Sequence, residues 1–175
     1  MSKLMMIQPG AFGDIIVCAP IAKAYSDAGY DVYWPARLKF KDTLIKFDYV
    51  NYIELNNSDD NTADWLKSDV EQCIQLFHDM NFDYVLNLAD RGPHPTAELP
   101  HETFDETKYR LAQIPFEEKH NLSWTRDVDA EDELYELIAP KKDYILCHLS
   151  CAGPNGDDGS VDLPIEPTMP VVRVT

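Results

Sequence analysis

Short apolar runs alternate with segments of helical periodicity along most of the chain. The apolar runs predict strands at residues 4–7, 30–34, 50–55, 82–88 and 144–149. The periodic segments predict helices at residues 14–28, 37–46, 63–80 and 103–113, with a further helix ending at Ile138. This alternation is typical of an α/β protein with a doubly wound, mainly parallel, Rossmann-like sheet that is covered on both faces.

The alternation stops after Ser150. Residues 151–175 are rich in Gly, Pro and Asp, and within them only Val171 to Val174 have the character of a strand. We therefore expect a Rossmann-like domain over residues 1–150. Residues 151–175 are expected to be a linker and the start of a second domain that is missing or truncated.

Charge and hydropathy exclude several classes of protein. The chain has 15 basic and 31 acidic residues, a formal net charge of -16, which repels phosphate backbones and argues against nucleic acid as a partner. No segment approaches the roughly 20 apolar residues of a membrane span. The apolar run near the N-terminus has four residues, too few for the core of a signal peptide. These features predict a cytoplasmic protein.

The cysteines do not predict a metal centre. Cys147 and Cys151 lie beside His148, but no second ligand pair follows at the spacing that zinc sites use. We expect no metal and no cofactor.

The turn after the first strand, QPGAFGD, is the first candidate site, because ligands collect at the carboxyl ends of parallel strands. Its spacing is G-x-x-G-D, which matches neither the dinucleotide fingerprint nor the phosphate loop. Asp14 has two interpretations. It can simply stabilise the start of a helix, by roughly half a kcal/mol. Alternatively, it is a carboxylate beside a crevice that accepts a proton from an attacking hydroxyl.

Several segments resemble the ADP-heptose:lipopolysaccharide heptosyltransferases, the ninth glycosyltransferase family. The strongest likeness is GAFGDIIVCAPIAKAYSDAGYDVYWPAR, with its Gly-Asp-apolar-Pro pattern. Further segments resemble that family in the same order, about as far as residue 153. They are FDYVLNLAD, the helix before LAQIP, and YILCHLSCAG.

The resemblance implies the N-terminal, acceptor-side half of a GT-B fold. Asp14 would then be the base of an inverting sugar transfer, and Gly10, Phe12 and Gly13 would shape the acceptor loop. Ser150 and Cys151 would lie near the diphosphate of the donor.

The resemblance also implies the partners. They are a nucleotide-sugar donor, a glycan or glycolipid acceptor, peripheral contact with a membrane, and a complementary C-terminal domain. Without that domain we expect the isolated chain to be inactive.

Three further residues are candidates for acceptor binding. Arg37 follows the second strand, and Arg91 and His94 lie in the proline-rich loop after the fourth. All three fall on the carboxyl edge of the predicted sheet, where a cation can meet an anionic acceptor. Loop residues of this kind are also commonly only solvated. A second function stays open beside the transferase, namely a non-catalytic Rossmann-like binding or interaction domain.

Overall fold

The computed structural model describes residues 1–56, 65–89, 102–139, 145–148 and 171–174. The chain divides into two compact units, residues 1–126 and residues 127–175. The described elements of the first unit are, in chain order, β1 (Ser2–Ile7), α1 (Phe12–Asp27), β2 (Tyr30–Arg37), a 3-10 turn (Leu38–Phe40), α2 (Lys41–Leu44), β3 (Asn51–Leu55), α3 (Trp65–Asp79), β4 (Tyr84–Asn87), α4 (Phe104–Leu111) and a second 3-10 turn (Phe116–His120).

The four strands of the first unit form one sheet in the order β3-β2-β1-β4. Every neighbouring pair is parallel. The sheet is flanked by helices, so the prediction of an α/β, Rossmann-like, doubly wound fold is confirmed.

Alternate residues of the strands face opposite sides of the sheet. Leu4 and Met6 of β1 pack in one buried cluster with apolar residues of α1 and α4. Met5 and Ile7, between them, pack in a second cluster with Cys73 of α3. Because successive strand residues point to opposite faces, a strand covered on both sides must be apolar at every position. This requirement explains the unbroken apolar run that predicted β1.

The connection from α1 to β2 passes through Gly29, directly after the predicted helix at residues 14–28. Its φ angle is +92°, in the left-handed region that glycine adopts without the steric cost of a Cβ. The backbone N–H of Gly29 donates to the carbonyl of Ser26 at 2.9 Å. This hydrogen bond satisfies one of the carbonyls that a helix leaves open at its C-terminus.

The second strand is longer than predicted. The sequence pattern ends it at Trp34 and starts a helix at Arg37, whereas β2 continues through Pro35 to Arg37 and only short helical turns follow. Proline cannot donate a backbone hydrogen bond, which normally argues against a central strand. Here β2 pairs with β1 only over Tyr30 to Tyr33, and beyond that point it has β3 as its sole partner. Pro35 therefore lies where one side of the strand is open.

The second unit contains α5 (Val128–Ile138), β5 (Ile145–His148) and β6 (Val171–Val174). The side chain of Asp127 caps α5 by accepting a hydrogen bond from the Ala130 N–H at 3.1 Å. The sequence pattern placed β5 in the same sheet as the first four strands. In the structure β5 pairs in parallel with β6, four residues against four. Three of the four residues at 171–174 are valine, a β-branched residue that favours strands.

Within the described ranges, no helix has the length and apolar character needed to cross a membrane.

Candidate functional site

The site lies where the direction of strand addition reverses. From β1 the chain adds β2 and then β3 on one side, and it then crosses to place β4 on the other side of β1. In open parallel sheets, ligands bind outside the carboxyl ends of the two strands that flank this reversal. Here those ends are followed by Gln8, after β1, and Leu88, after β4. The two ends are joined by a hydrogen bond from the Leu88 N–H to the Ile7 carbonyl at 2.9 Å.

Gln8 is a fully buried polar residue at this edge, with 1% of its surface exposed. Its side-chain amide nitrogen donates to the Gly10 carbonyl and to Oδ2 of Asp14, the latter at 3.2 Å. Its own backbone carbonyl accepts from the Trp34 indole N–H at 2.7 Å. A buried amide with its donors and acceptors satisfied is held in one orientation, so Gln8 links the end of β1 to the start of α1.

Asp14 is the third residue of α1 and is partly buried. The helix begins after Ala11, whose side chain can accept no capping hydrogen bond. An acidic residue in the first turn complements the partial positive charge of the helix N-terminus. The structure therefore bears out the helix-stabilising position of Asp14. It also places the carboxylate within hydrogen-bonding distance of the Gln8 amide at the reversal.

Sequence reasoning missed Lys108 as a member of this site. Lys108 lies on α4 and is 2% exposed. Its ammonium donates to Oε1 of Gln8 at 3.2 Å and to the Leu88 carbonyl, and it lies 4.7 Å from the centre of the Phe104 ring. A buried ammonium is costly unless it is hydrogen-bonded, and these contacts supply that compensation. Lys108 thus connects the carboxyl ends of β1 and β4.

The buried thiol of Cys18 lies one turn after Asp14 on α1, and the charges of Lys108 and Asp14 both affect its pKa. Burial raises the pKa of Cys18 to about 12, the nearby ammonium of Lys108 acts to lower it, and the Asp14 carboxylate acts to raise it. The charges of Lys108 and Asp14 therefore have opposite effects on the pKa of the same buried thiol. A thiol so strongly protonated is a poor nucleophile, which argues against a catalytic role for Cys18.

The three acceptor-loop candidates differ in their surroundings. Phe12, the first residue of α1, is 57% exposed, so its ring is available to contact a ligand. Gly10 contributes its carbonyl to the Gln8 amide. Gly13 is not demanded by packing, because a Cβ built at that position meets no atom within 4 Å. The roles of all three in binding an acceptor stay predictions.

Arg37 is on the other face of the sheet from Asp14. Its guanidinium pairs with Asp69 of α3, with Nε to Oδ2 at 2.6 Å and Nη2 to Oδ1 at 3.2 Å. Arg37 is 2% exposed and Asp69 is fully buried. Asp14 lies on α1, which packs on one face of the sheet, whereas α3 packs on the opposite face. The structure therefore does not bring Arg37 together with Asp14.

Four other candidates, Arg91, His94, Ser150 and Cys151, lie outside the described residues. Among the residues that the structure does describe, no three His, Cys, Asp or Glu side chains are grouped as metal ligands would be.

Comparisons of the chain with protein-family models, with curated proteins and with solved structures found no match.

Proposed function

We propose that this chain is the acceptor-side domain of an inverting glycosyltransferase, with Asp14 as the general base. The observation that carries the proposal is the position of the Asp14 carboxylate. It is partly buried at the ligand-binding edge of a parallel sheet, and one of its oxygens accepts from the buried Gln8 amide at 3.2 Å. A carboxylate whose position is fixed by a buried donor supports the proposed role, since a general base must be held within reach of the proton that it takes.

The chemistry assigned to the site is a single displacement. The hydroxyl oxygen of a glycan or glycolipid acceptor attacks the anomeric carbon of the donor, while Asp14 takes the hydroxyl proton. The bond from that carbon to the diphosphate breaks, the nucleoside diphosphate leaves with the electron pair, and the configuration inverts. The donor would be held by a complementary domain, with Ser150 and Cys151 near its diphosphate. The exposed ring of Phe12 would contact the sugar of the acceptor.

A second candidate function is a Rossmann-like binding or interaction domain with no catalysis. The observation that favours it is that the buried side chains of Gln8 and Lys108 hydrogen-bond to each other, to Asp14 and to the main chain. In that case Asp14 contributes only to helix stability.

The test compares Asp14→Asn with the unaltered protein. Transfer is measured by chromatography with ADP-, UDP- and GDP-sugars and a panel of glycan and glycolipid acceptors. Loss of a general base lowers the rate of transfer about 100-fold to 10,000-fold. Acceptor binding, measured by calorimetry, is expected to change little, because asparagine keeps the size and polarity of the side chain.

Asp27→Asn is the matched control, since Asp27 lies at the other end of α1 and pairs only at the surface with Lys23, at 2.6 Å. We expect this variant to keep the full rate. Full transfer by Asp14→Asn would overturn the role of general base. Absence of both transfer and sugar binding across the panel would overturn the transferase and favour the non-catalytic domain.

A further inference from the structure

The chain of contacts from α4 to α1 gives Lys108 a part in the site that no sequence pattern assigns. The Lys108 ammonium donates to Oε1 of Gln8 at 3.2 Å, and Nε2 of the same amide donates to Oδ2 of Asp14 at 3.2 Å. A side chain 94 residues away from Asp14 along the chain is thereby two hydrogen bonds from its carboxylate.

The chemistry of the three groups makes this contact directional. An amide has one accepting and one donating end, whereas a lysine ammonium can only donate and a carboxylate can only accept. With Lys108 on one side, the oxygen of Gln8 must face the ammonium, so its NH2 group faces Asp14 and the Gly10 carbonyl. The reversed amide would set N–H against the ammonium and oxygen against the carboxylate. Lys108 therefore reinforces the orientation, also favoured by the Gly10 carbonyl, that supplies a donor to Asp14.

We propose that Lys108 is a positioning residue for Asp14, acting through Gln8. It reinforces the orientation of the Gln8 amide that donates to the Asp14 carboxylate. The consequence for transfer rests on the proposed function, but the orientation of Gln8 does not.

The first test observes Gln8 directly, by NMR of the full chain labelled with nitrogen-15. In the unaltered protein the side-chain NH2 of Gln8 is expected to give two separate proton signals that exchange slowly with water. Lys108→Met keeps the length and apolar stem of the side chain but removes its donors. In this variant the Gln8 oxygen loses the hydrogen bond from Lys108 that helps to hold the amide in place. We expect exchange of the Gln8 NH2 to speed up about tenfold, since one hydrogen bond is worth about a factor of ten. Lys119→Met, which removes a 36%-exposed ammonium, is the control and should change nothing at Gln8.

The second test uses transfer by the full-length protein. We expect Lys108→Met to lower kcat roughly tenfold to a hundredfold with little change in the acceptor KM, because the base is misplaced and the binding surface is kept. Gln8→Met should have a similar effect. The double variant should be no slower than Gln8→Met alone, since both changes break the same chain of contacts. A purely structural role for Lys108 would give additive losses instead.

The outcomes separate the two proposals. Unchanged Gln8 exchange in folded Lys108→Met would overturn the positioning role, whatever the activity. Inactivity of the unaltered full-length protein would count against the transferase and leave the NMR result to decide the role of Lys108. If Lys108→Met does not fold, Lys108→Arg, which retains a donor-only cation, takes its place. Slow Gln8 exchange would then support the role, and exchange as fast as that of an exposed amide would contradict it.

Discussion

Arg37 and Asp69 form a bidentate ion pair buried between the sheet and α3, with the Arg37 Nε donating to Oδ2 of Asp69 at 2.6 Å. The pair fastens the end of β2 to the helix that follows β3. Asp69 therefore binds the guanidinium that the sequence predicted would bind an anionic acceptor. Arg37 does lie at the carboxyl end of β2, but its guanidinium binds Asp69 inside the protein.

Removing one member of this pair is expected to destabilise the protein strongly. Asp69→Ala leaves the Arg37 guanidinium buried without its carboxylate, and breaking buried pairs in this way costs about 3–5 kcal/mol. Unfolding in urea, followed by circular dichroism, measures the change. Asp27→Ala breaks an exposed pair and should cost less than about 1 kcal/mol. Equal losses in the two variants would contradict the burial of the Arg37–Asp69 pair.

Two glycines of the α1 region provide a matched pair of substitutions. A Cβ added at Gly13 or at Gly29 meets no atom within 4 Å, so only backbone conformation distinguishes the two positions. Gly13 is inside the first turn of α1, and Gly13→Ala should stabilise the protein by roughly 0.5–1 kcal/mol. Gly29 has a φ angle of +92°, and Gly29→Ala should destabilise it by roughly 1–2 kcal/mol.

Thermal unfolding monitored by calorimetry distinguishes these two results by the sign of the change. Changes of the same sign would show that the helix does not start and end at the positions described here. Gly13→Ala also tests the predicted role of Gly13 in the acceptor loop. A stable variant that binds the acceptor more weakly would assign Gly13 to acceptor binding.

The strands of the main sheet could be predicted because their signal is local. A strand covered on both faces needs a continuous apolar run, and β1 has such a run in Leu4 to Ile7. The end of β2 could not be predicted in the same way. Whether Pro35 can sit in a strand depends on whether a neighbour needs its N–H, and that depends on the register with β1 and β3.

The buried thiols of Cys18 and Cys73 should resist alkylation. Burial raises the pKa of each from 9.0 to about 12. At pH 8 the thiolate fraction falls about 1000-fold relative to an ordinary cysteine, and the thiolate is the reactive form. Iodoacetamide labelling followed by mass spectrometry should find both residues unmodified in the native protein and modified in urea. Rapid labelling of either residue under native conditions would contradict its position in the core.

Alkaline conditions should destabilise the first unit through its buried phenols. Burial raises the pKa of Tyr109 and Tyr49, and it raises the pKa of Tyr52 to about 12. A folded-state pKa above the unfolded value of about 10 means that the unfolded chain loses the proton first. The stability contributed by these groups is therefore complete below pH 10 and declines as the pH rises toward 12.

Urea unfolding at pH 9, 10 and 11 measures this decline. Tyr109→Phe should make the decline shallower, at the cost of the hydrogen bond from Tyr109 to the Val17 carbonyl at 3.2 Å. An identical pH dependence in the variant and the unaltered protein would rule out a contribution from Tyr109.

The candidate site was only half predictable. Asp14 could be found because Gly-Asp after an apolar strand marks the start of a helix. Lys108 was missed because lysine is rarely buried and its contacts come from Gln8 and Leu88, which no local pattern links to it. One signal was present nonetheless. Lys108 is four residues from both Phe104 and Ala112, which places it on the helix face that meets the core.

The separation of Lys108 from Gln8 has a consequence for synthesis. The ribosome makes Gln8 and Asp14 among the first residues, but the ammonium that supports them is added 100 positions after Gln8. Until α4 has emerged, the nascent domain has Gln8 and Asp14 without the Lys108 contact to the Gln8 amide. Completing this arrangement requires closure of a long loop, a high-contact-order event that tends to be slow. The site is therefore completed only after Lys108 has been made, although Asp14 is made nearly first.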